Sequence, residues 1–175
     1  MKRNSRLMDM LVGYVSAHQH PLNVAIHLVG IPTIMFGVFV MLSRVEIATD
    51  DFSLNFAYLT ALLLFVFYLT FDVIFALAFL LMALPIAYLA TLAGDRTLAA
   101  SATIAAGAFF GGYAAQFVGH AVEKSAPVIL KHPVQANLAA PFFTVVEIFK
   151  FLGLRDELFD TVQARISELR HEKTA

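Results

Sequence analysis

Apolar residues gather along this chain in long runs, and the runs have the length of membrane crossings. About 20 residues at 1.5 Å each cross the roughly 30 Å hydrocarbon layer of a bilayer. Val24 to Leu42 is one such run, interrupted by His27 near its start. Leu54 to Leu92 is a second, with Asp72 as its one charged residue. It is too long for one crossing and suits two, so a break is expected near Thr70–Asp72, with Asp72 capping the helix that follows. The alternative, an Asp buried inside a membrane helix, would mark a functional site. Gly94-Asp95-Arg96 is a short polar break, and Thr97 to Val118 predicts a fourth crossing, richer in Ala and Gly. Leu138 to Phe151 is apolar but short and contains Pro141, Glu147 and Lys150, which fits a re-entrant or interfacial helix. Beyond Gly153, the residues Leu154, Leu158, Val162, Ile166 and Leu169 recur at helical spacing among charged neighbours. That pattern predicts an amphipathic helix lying on the membrane or on the protein.

The expected architecture is therefore all-α: a multi-pass transmembrane bundle of four to five membrane helices with an amphipathic C-terminal helix. Residues 1–153 form the membrane domain and residues 154–175 the tail. Composition agrees, since 59% of residues are hydrophobic and 14% charged, against roughly 45–50% and 25% in a soluble domain. A formal net charge of −1 lacks the basic face that nucleic acid demands, so nucleic acid is excluded as a partner and membrane lipid is expected instead. The absence of cysteine excludes disulfides, Cys-ligated zinc, iron–sulfur clusters and a thiol nucleophile. Lys2, Arg3 and Arg6 lead into no long apolar run before Pro21, so no cleavable signal peptide is expected.

The same basic residues favour a cytoplasmic N-terminus, and the loop from Ser43 to Ser53, with Glu46, Asp50 and Asp51 against Arg44, belongs outside. Four crossings then return the chain to the cytoplasmic side at Gly119. His18, His20 and His27 enter the first crossing on the face where His120 leaves the fourth. Parity alone brings histidines about a hundred positions apart to one depth.

Two segments carry this cluster. In the first, Pro21 suits the opening turn of a helix, and Asn23 and His27 share a face at i, i+4. His18 and His27 would oppose one another on a continuous helix, nine residues being roughly two and a half turns. A bend at Pro21 lets them converge, and Gly30 lets another helix come close above them. In the second, Gln116, His120 and Glu123 form a stripe at i, i+4, i+7. Imidazoles are the commonest metal ligands, with carboxylates orienting them or binding directly. Such a set suits non-haem Fe(II) with open positions for oxygen and substrate, and Zn(II) fits the same ligands. Taken singly, a histidine here is better explained by interfacial hydrogen bonding, with His20 balanced between the readings, and His132 and His171 are read as interfacial. Convergence of His18, His27 and His120 favours a metal site. Gly107, Gly111, Gly112, Ala115 and Gly119 read as a ridge for close helix packing. A serine hydrolase elbow, a Walker loop and a GxGxxG turn are absent.

At these stretches the sequence resembles a family of small multi-pass membrane proteins, the 2-hydroxy fatty acid dioxygenases, whose characterised fungal member acts in the breakdown of phytosphingosine to odd-chain fatty acids. The matching residues are His18, Pro21, Asn23, His27 and Pro32, then Gln116-Phe117-Val118-Gly119-His120, Glu123-Lys124 and Pro127, and a patch from Val134-Gln135 through Ala140-Pro141-Phe142. The resemblance runs from about Tyr14 to Phe151. It implies Fe(2+) held by His18, His27 and His120, with O2 and a 2-hydroxy fatty acid as substrates and a fatty acid one carbon shorter plus carbon dioxide as products. Asn23, Gln116 and Glu123 would then orient imidazole N–H groups, and Lys124 would attract the substrate carboxylate. The sequence departs from the family pattern in placing two residues rather than three between His120 and Glu123, and in carrying Ser125-Ala126 where a basic pair is usual. His20 has no counterpart in that pattern. Two other readings of the histidines are a haem-binding membrane electron carrier and a non-catalytic lipid-binding or scaffold protein.

Overall fold

The computed structural model describes residues 2–18, 20–124, 126–130 and 133–174. Among these the chain forms helices α1 (Lys2–Ala17), α2 (Pro21–Leu42), α3 (Phe56–Tyr68), α4 (Val73–Gly94), α5 (Leu98–Glu123), α6 (Pro133–Phe151) and α7 (Asp156–Thr174). His132 lies outside the described residues, as does the side chain of His171.

Helices α2, α4 and α5 are long and apolar enough to cross a membrane, and α6 with α7 adds a fourth span if that pair, bent by 110°, counts as one. The long apolar run breaks where expected, and Asp72 caps α4 by accepting from the backbone N–H groups of Ile74 (2.9 Å) and Phe75 (3.1 Å). The first half of that run differs from expectation. Its helix, α3, has 13 residues and reaches about 20 Å, short of a full crossing. Residues Ser53–Asn55 (β2) instead pair antiparallel with Glu46–Ala48 (β1), Ile47 facing Leu54. A short apolar stretch does not distinguish strand from helix by its pattern, and Asn55 decides the boundary by capping α3 at Ala57 and Tyr58.

The chain runs up α2, down α3, up α4 and down α5. At the upper end Arg44 ties the turns together, donating to the carbonyl oxygens of Gly94 and Arg96 and to Ser101 Oγ. The Ser43 hydroxyl donates across to the carbonyl of Ala90. Leu62, Leu63, Leu77, Leu81 and Leu89 point outward, which on membrane helices is the lipid-facing side. Of the glycine ridge, Gly112 and Gly119 meet α2, whereas Gly107 and Gly111 face open space.

The N-terminal segment is a helix that the search for long apolar runs passes over. Leu7, Leu11 and Val15 recur every four residues and are buried, as are Phe159, Val162 and Ile166 of α7, the helix packed against α1. Of the predicted tail stripe, Val162 and Ile166 are thus buried, Leu158 and Leu169 are half-buried and Leu154 is exposed.

Candidate metal centre

The break between α1 and α2 creates the site. α1 ends at Ala17, Pro21 opens α2, and the His20 Nδ1 accepts from the Leu22 backbone N–H (3.2 Å), capping the new helix. The change of direction lets His18 and His27 share a space that a continuous helix would deny them. From the opposite strand of the bundle, α5 delivers His120. All three side chains are buried. Their ring centroids lie 4.7 Å (His18–His27), 5.2 Å (His18–His120) and 5.0 Å (His27–His120) apart. One nitrogen of each lies within 4.8 Å of the corresponding nitrogens of the other two.

Backbone carbonyls set the tautomers of two rings. His18 Nδ1 lies 3.2 Å from the carbonyl oxygen of Tyr14, and His27 Nδ1 lies 2.9 Å from that of Asn23. A carbonyl oxygen only accepts, so in both rings Nδ1 carries the proton and Nε2 keeps its lone pair. Burial holds the His18 ring below its ordinary 6.5, outweighing the Tyr14 carbonyl bond, so the ring is neutral near pH 7 and able to donate to a metal. Three imidazoles converging from α2, α5 and the bend between α1 and α2 fit the donor chemistry of a divalent transition metal.

The surrounding residues differ in how they meet the cluster. Asn23 is fully buried and its side-chain amide donates to Glu123 Oε2, so it reaches His27 through its backbone oxygen rather than its side chain. Glu123 also accepts from the backbone N–H of His20 (3.3 Å), clamping the end of α5 to the start of α2. Gln116 is buried one turn above His120, and its Nε2 has no hydrogen-bond partner. Lys124 is exposed and forms the left-handed cap of α5, with φ of 55°.

Two residues were not legible as part of the site. Tyr14 lies flat between His18 (centroids 4.2 Å apart) and Phe143 (3.8 Å), and burial together with the nearby carboxylates Glu147 and Glu123 pushes its phenol up, so it stays protonated. Glu147 of α6 is buried, with one carboxylate oxygen unpartnered and Lys150 3.9 Å from the other. A Tyr at the end of an amphipathic stretch and one Glu in an apolar one give little sequence signal.

The histidines stand at one end of a cavity of about 680 Å³, within the usual range for small-molecule sites of roughly 300–1,000 Å³. Ile31, Met35 and Phe39 of α2, Phe109 and Tyr113 of α5, and Phe143 of α6 are among its mostly apolar walls. Gln116 also lines it, whereas Lys124 does not.

Comparison with known proteins gives a consistent family. The 2-hydroxy-palmitic acid dioxygenase Mpo1-like family matches residues 5–152. The chain is 31% identical over 158 residues to the 2-hydroxy-palmitic acid dioxygenase MPO1 of Saccharomyces cerevisiae, covering 90% of this chain and 87% of the yeast protein. No solved structure matches.

Proposed function

The chain belongs to the Mpo1-like family of 2-hydroxy-palmitic acid dioxygenases, and from that membership and the histidine geometry we propose that it is an iron(II)-dependent dioxygenase that shortens 2-hydroxy fatty acids by one carbon. The observation that carries this reading is the convergence of His18, His27 and His120 at the polar end of an apolar cavity. Three imidazoles form a ligand set that leaves coordination positions open, and iron(II) so held supplies the redox chemistry that activates dioxygen. The reaction balances without an outside reductant. A 2-hydroxy acid and O2 give the acid one carbon shorter, CO2 and water, the substrate yielding the four electrons that O2 takes up. The bond between the carboxyl carbon and C2 breaks, and C2 becomes the new carboxyl carbon.

The protein's own part is to hold and shield. The Tyr14 and Asn23 carbonyls fix the His18 and His27 rings, and Glu123 fixes the helix ends that carry them. Gln116 lines the cavity beside His120; its unpartnered Nε2 is packed against Gly30, and a turn of the amide toward the cavity lets it hydrogen-bond the substrate headgroup, relieving a buried N–H whose lack of a partner costs about 1–3 kcal/mol. The apolar walls take the acyl chain, which arrives from the lipid. Lys2, Arg3 and Arg6 before the first span and the acidic loop after it support a site on the cytoplasmic side, in a bacterial inner or endoplasmic reticulum membrane.

Haem ligation uses axial imidazoles on opposite faces of a porphyrin, and three rings with centroids 4.7–5.2 Å apart leave no plane between them. A scaffold role predicts metal-free protein. Metal analysis of the purified full chain, coupled to turnover of 2-hydroxypalmitate, tests the reading. Stoichiometric iron and chelator-sensitive release of CO2 are expected. Turnover that survives complete removal of iron overturns it.

A further inference from the structure

Resting on that reading of the cavity, we propose that Phe39, Thr60 and Phe109 form a stop that measures acyl-chain length, admitting chains of about 14 to 16 carbons from the histidines to the stop. The depth follows from the helices. Along α2 the cavity is lined from His27 to Phe39, 12 residues or about 18 Å of rise. Along the antiparallel α5 it is lined from His120 back to Phe109, 11 residues or about 16–17 Å. An extended chain of tetrahedral atoms advances roughly 1.2 Å per bond. The two helices therefore agree on space for about 14 bonds.

Packed protein lies ahead of the chain at the far end, where Val38 lines the cavity on its outer side and is 37% exposed. Phe39 is 2% exposed, and beyond it Val40, Ala57, Ala61 and Ala105 are buried without lining the cavity. Here α2 and α5 touch backbone to backbone: a methyl group at Gly37 would lie 2.8 Å from both the Ala105 carbonyl oxygen and the Phe109 amide nitrogen. Thr60 of α3 lines the same end from the third side. Asp9 and Gly13 of α1 also line the cavity and are exposed, so the cavity opens along α1. A chain held by its headgroup at the histidines thus meets three converging helices at its methyl end.

The test uses the full chain in detergent with saturated 2-hydroxy acids of about 12 to 20 carbons, each methylene left unburied being worth roughly fourfold. Two readouts are taken: turnover, and displacement of a bound fluorescent fatty acid. The wild type is expected to prefer about 14 to 16 carbons. Thr60→Phe shortens the preferred chain by about two to four carbons, and Phe109→Ala lengthens it by a similar amount. Both positions are half-buried, and the shifts oppose one another, so a folding defect in one variant leaves the other, and the wild-type profile, to decide. A flat wild-type profile, or variants whose profiles match it, overturns the stop. Displacement that shifts as expected while no 2-hydroxy acid is consumed upholds the stop and overturns the dioxygenase reading. Turnover with unshifted profiles does the reverse.

Discussion

Gly119 of α5 lies against Asn23 of α2 so closely that a methyl group at position 119 would overlap the Asn23 side-chain oxygen. That contact lets Asn23 reach Glu123 and lets the next residue of α5, His120, enter the cluster. Gly119→Ala must either push α5 away from α2 or turn Asn23 out of its bond with Glu123. The expected cost is about 1–3 kcal/mol from overpacking. Iron affinity should fall by roughly 10–100-fold, as when groups supporting metal ligands are lost. Thermal unfolding and iron titration check both, and unchanged iron affinity would count against the contact's role.

His20 and His27 stand at opposite extremes of the same segment. His27 is buried in the cluster, whereas His20 is exposed and caps α2 through Nδ1. His27→Ala should abolish stoichiometric iron and turnover together. His20→Ala should lose about 1 kcal/mol of stability through the missing cap and keep its iron. Equal loss of metal in both variants would place His20 among the ligands.

The meeting of His27 and His120 was legible from counting apolar runs, but the count of four crossings behind it was not met, since α3 reverses the chain without being long enough to cross. The number of full spans was less legible, since the run holding Leu54 and Asn55 is apolar enough for a helix while those residues sit in a hairpin. Helix α1 escaped notice because Leu7, Leu11 and Val15 make a stripe rather than a run. The orienting group on His27 was placed at Asn23 by i, i+4 spacing, yet the acceptor is its backbone oxygen, which a residue type does not announce. The cavity was invisible, being assembled from five helices distant in sequence.

Both carboxylate oxygens of Glu123 accept hydrogen bonds, from Asn23 and from the His20 backbone, and on that ground a bracing role is proposed for it in place of metal ligation. Glu123→Gln retains one acceptor oxygen, so at saturating iron it should bind one equivalent. Glu123→Ala should also fill at saturation but with affinity weakened roughly 10–100-fold. Iron titration followed by desalting separates these outcomes. Failure of Glu123→Gln to fill at any iron concentration would make the carboxylate a ligand.

Asp72 offers a control for stability without chemistry. Its Oδ1 caps α4 and also takes the Arg155 guanidinium at 2.9 Å, while Arg155 lies 4.6 Å over the Phe75 ring. One side chain therefore fixes both the start of α4 and the turn between α6 and α7. Asp72→Ala removes the cap and leaves Arg155 without its partner, which should lower stability by about 1–3 kcal/mol. Asp72→Asn keeps a capping oxygen and should lose less. Asp72 does not line the cavity, so turnover per folded molecule and iron content should match the wild type in both variants. Thermal unfolding read beside initial rates decides the matter: a fall in rate with unchanged melting temperature would mean that the α4 cap acts on the histidine centre through α6.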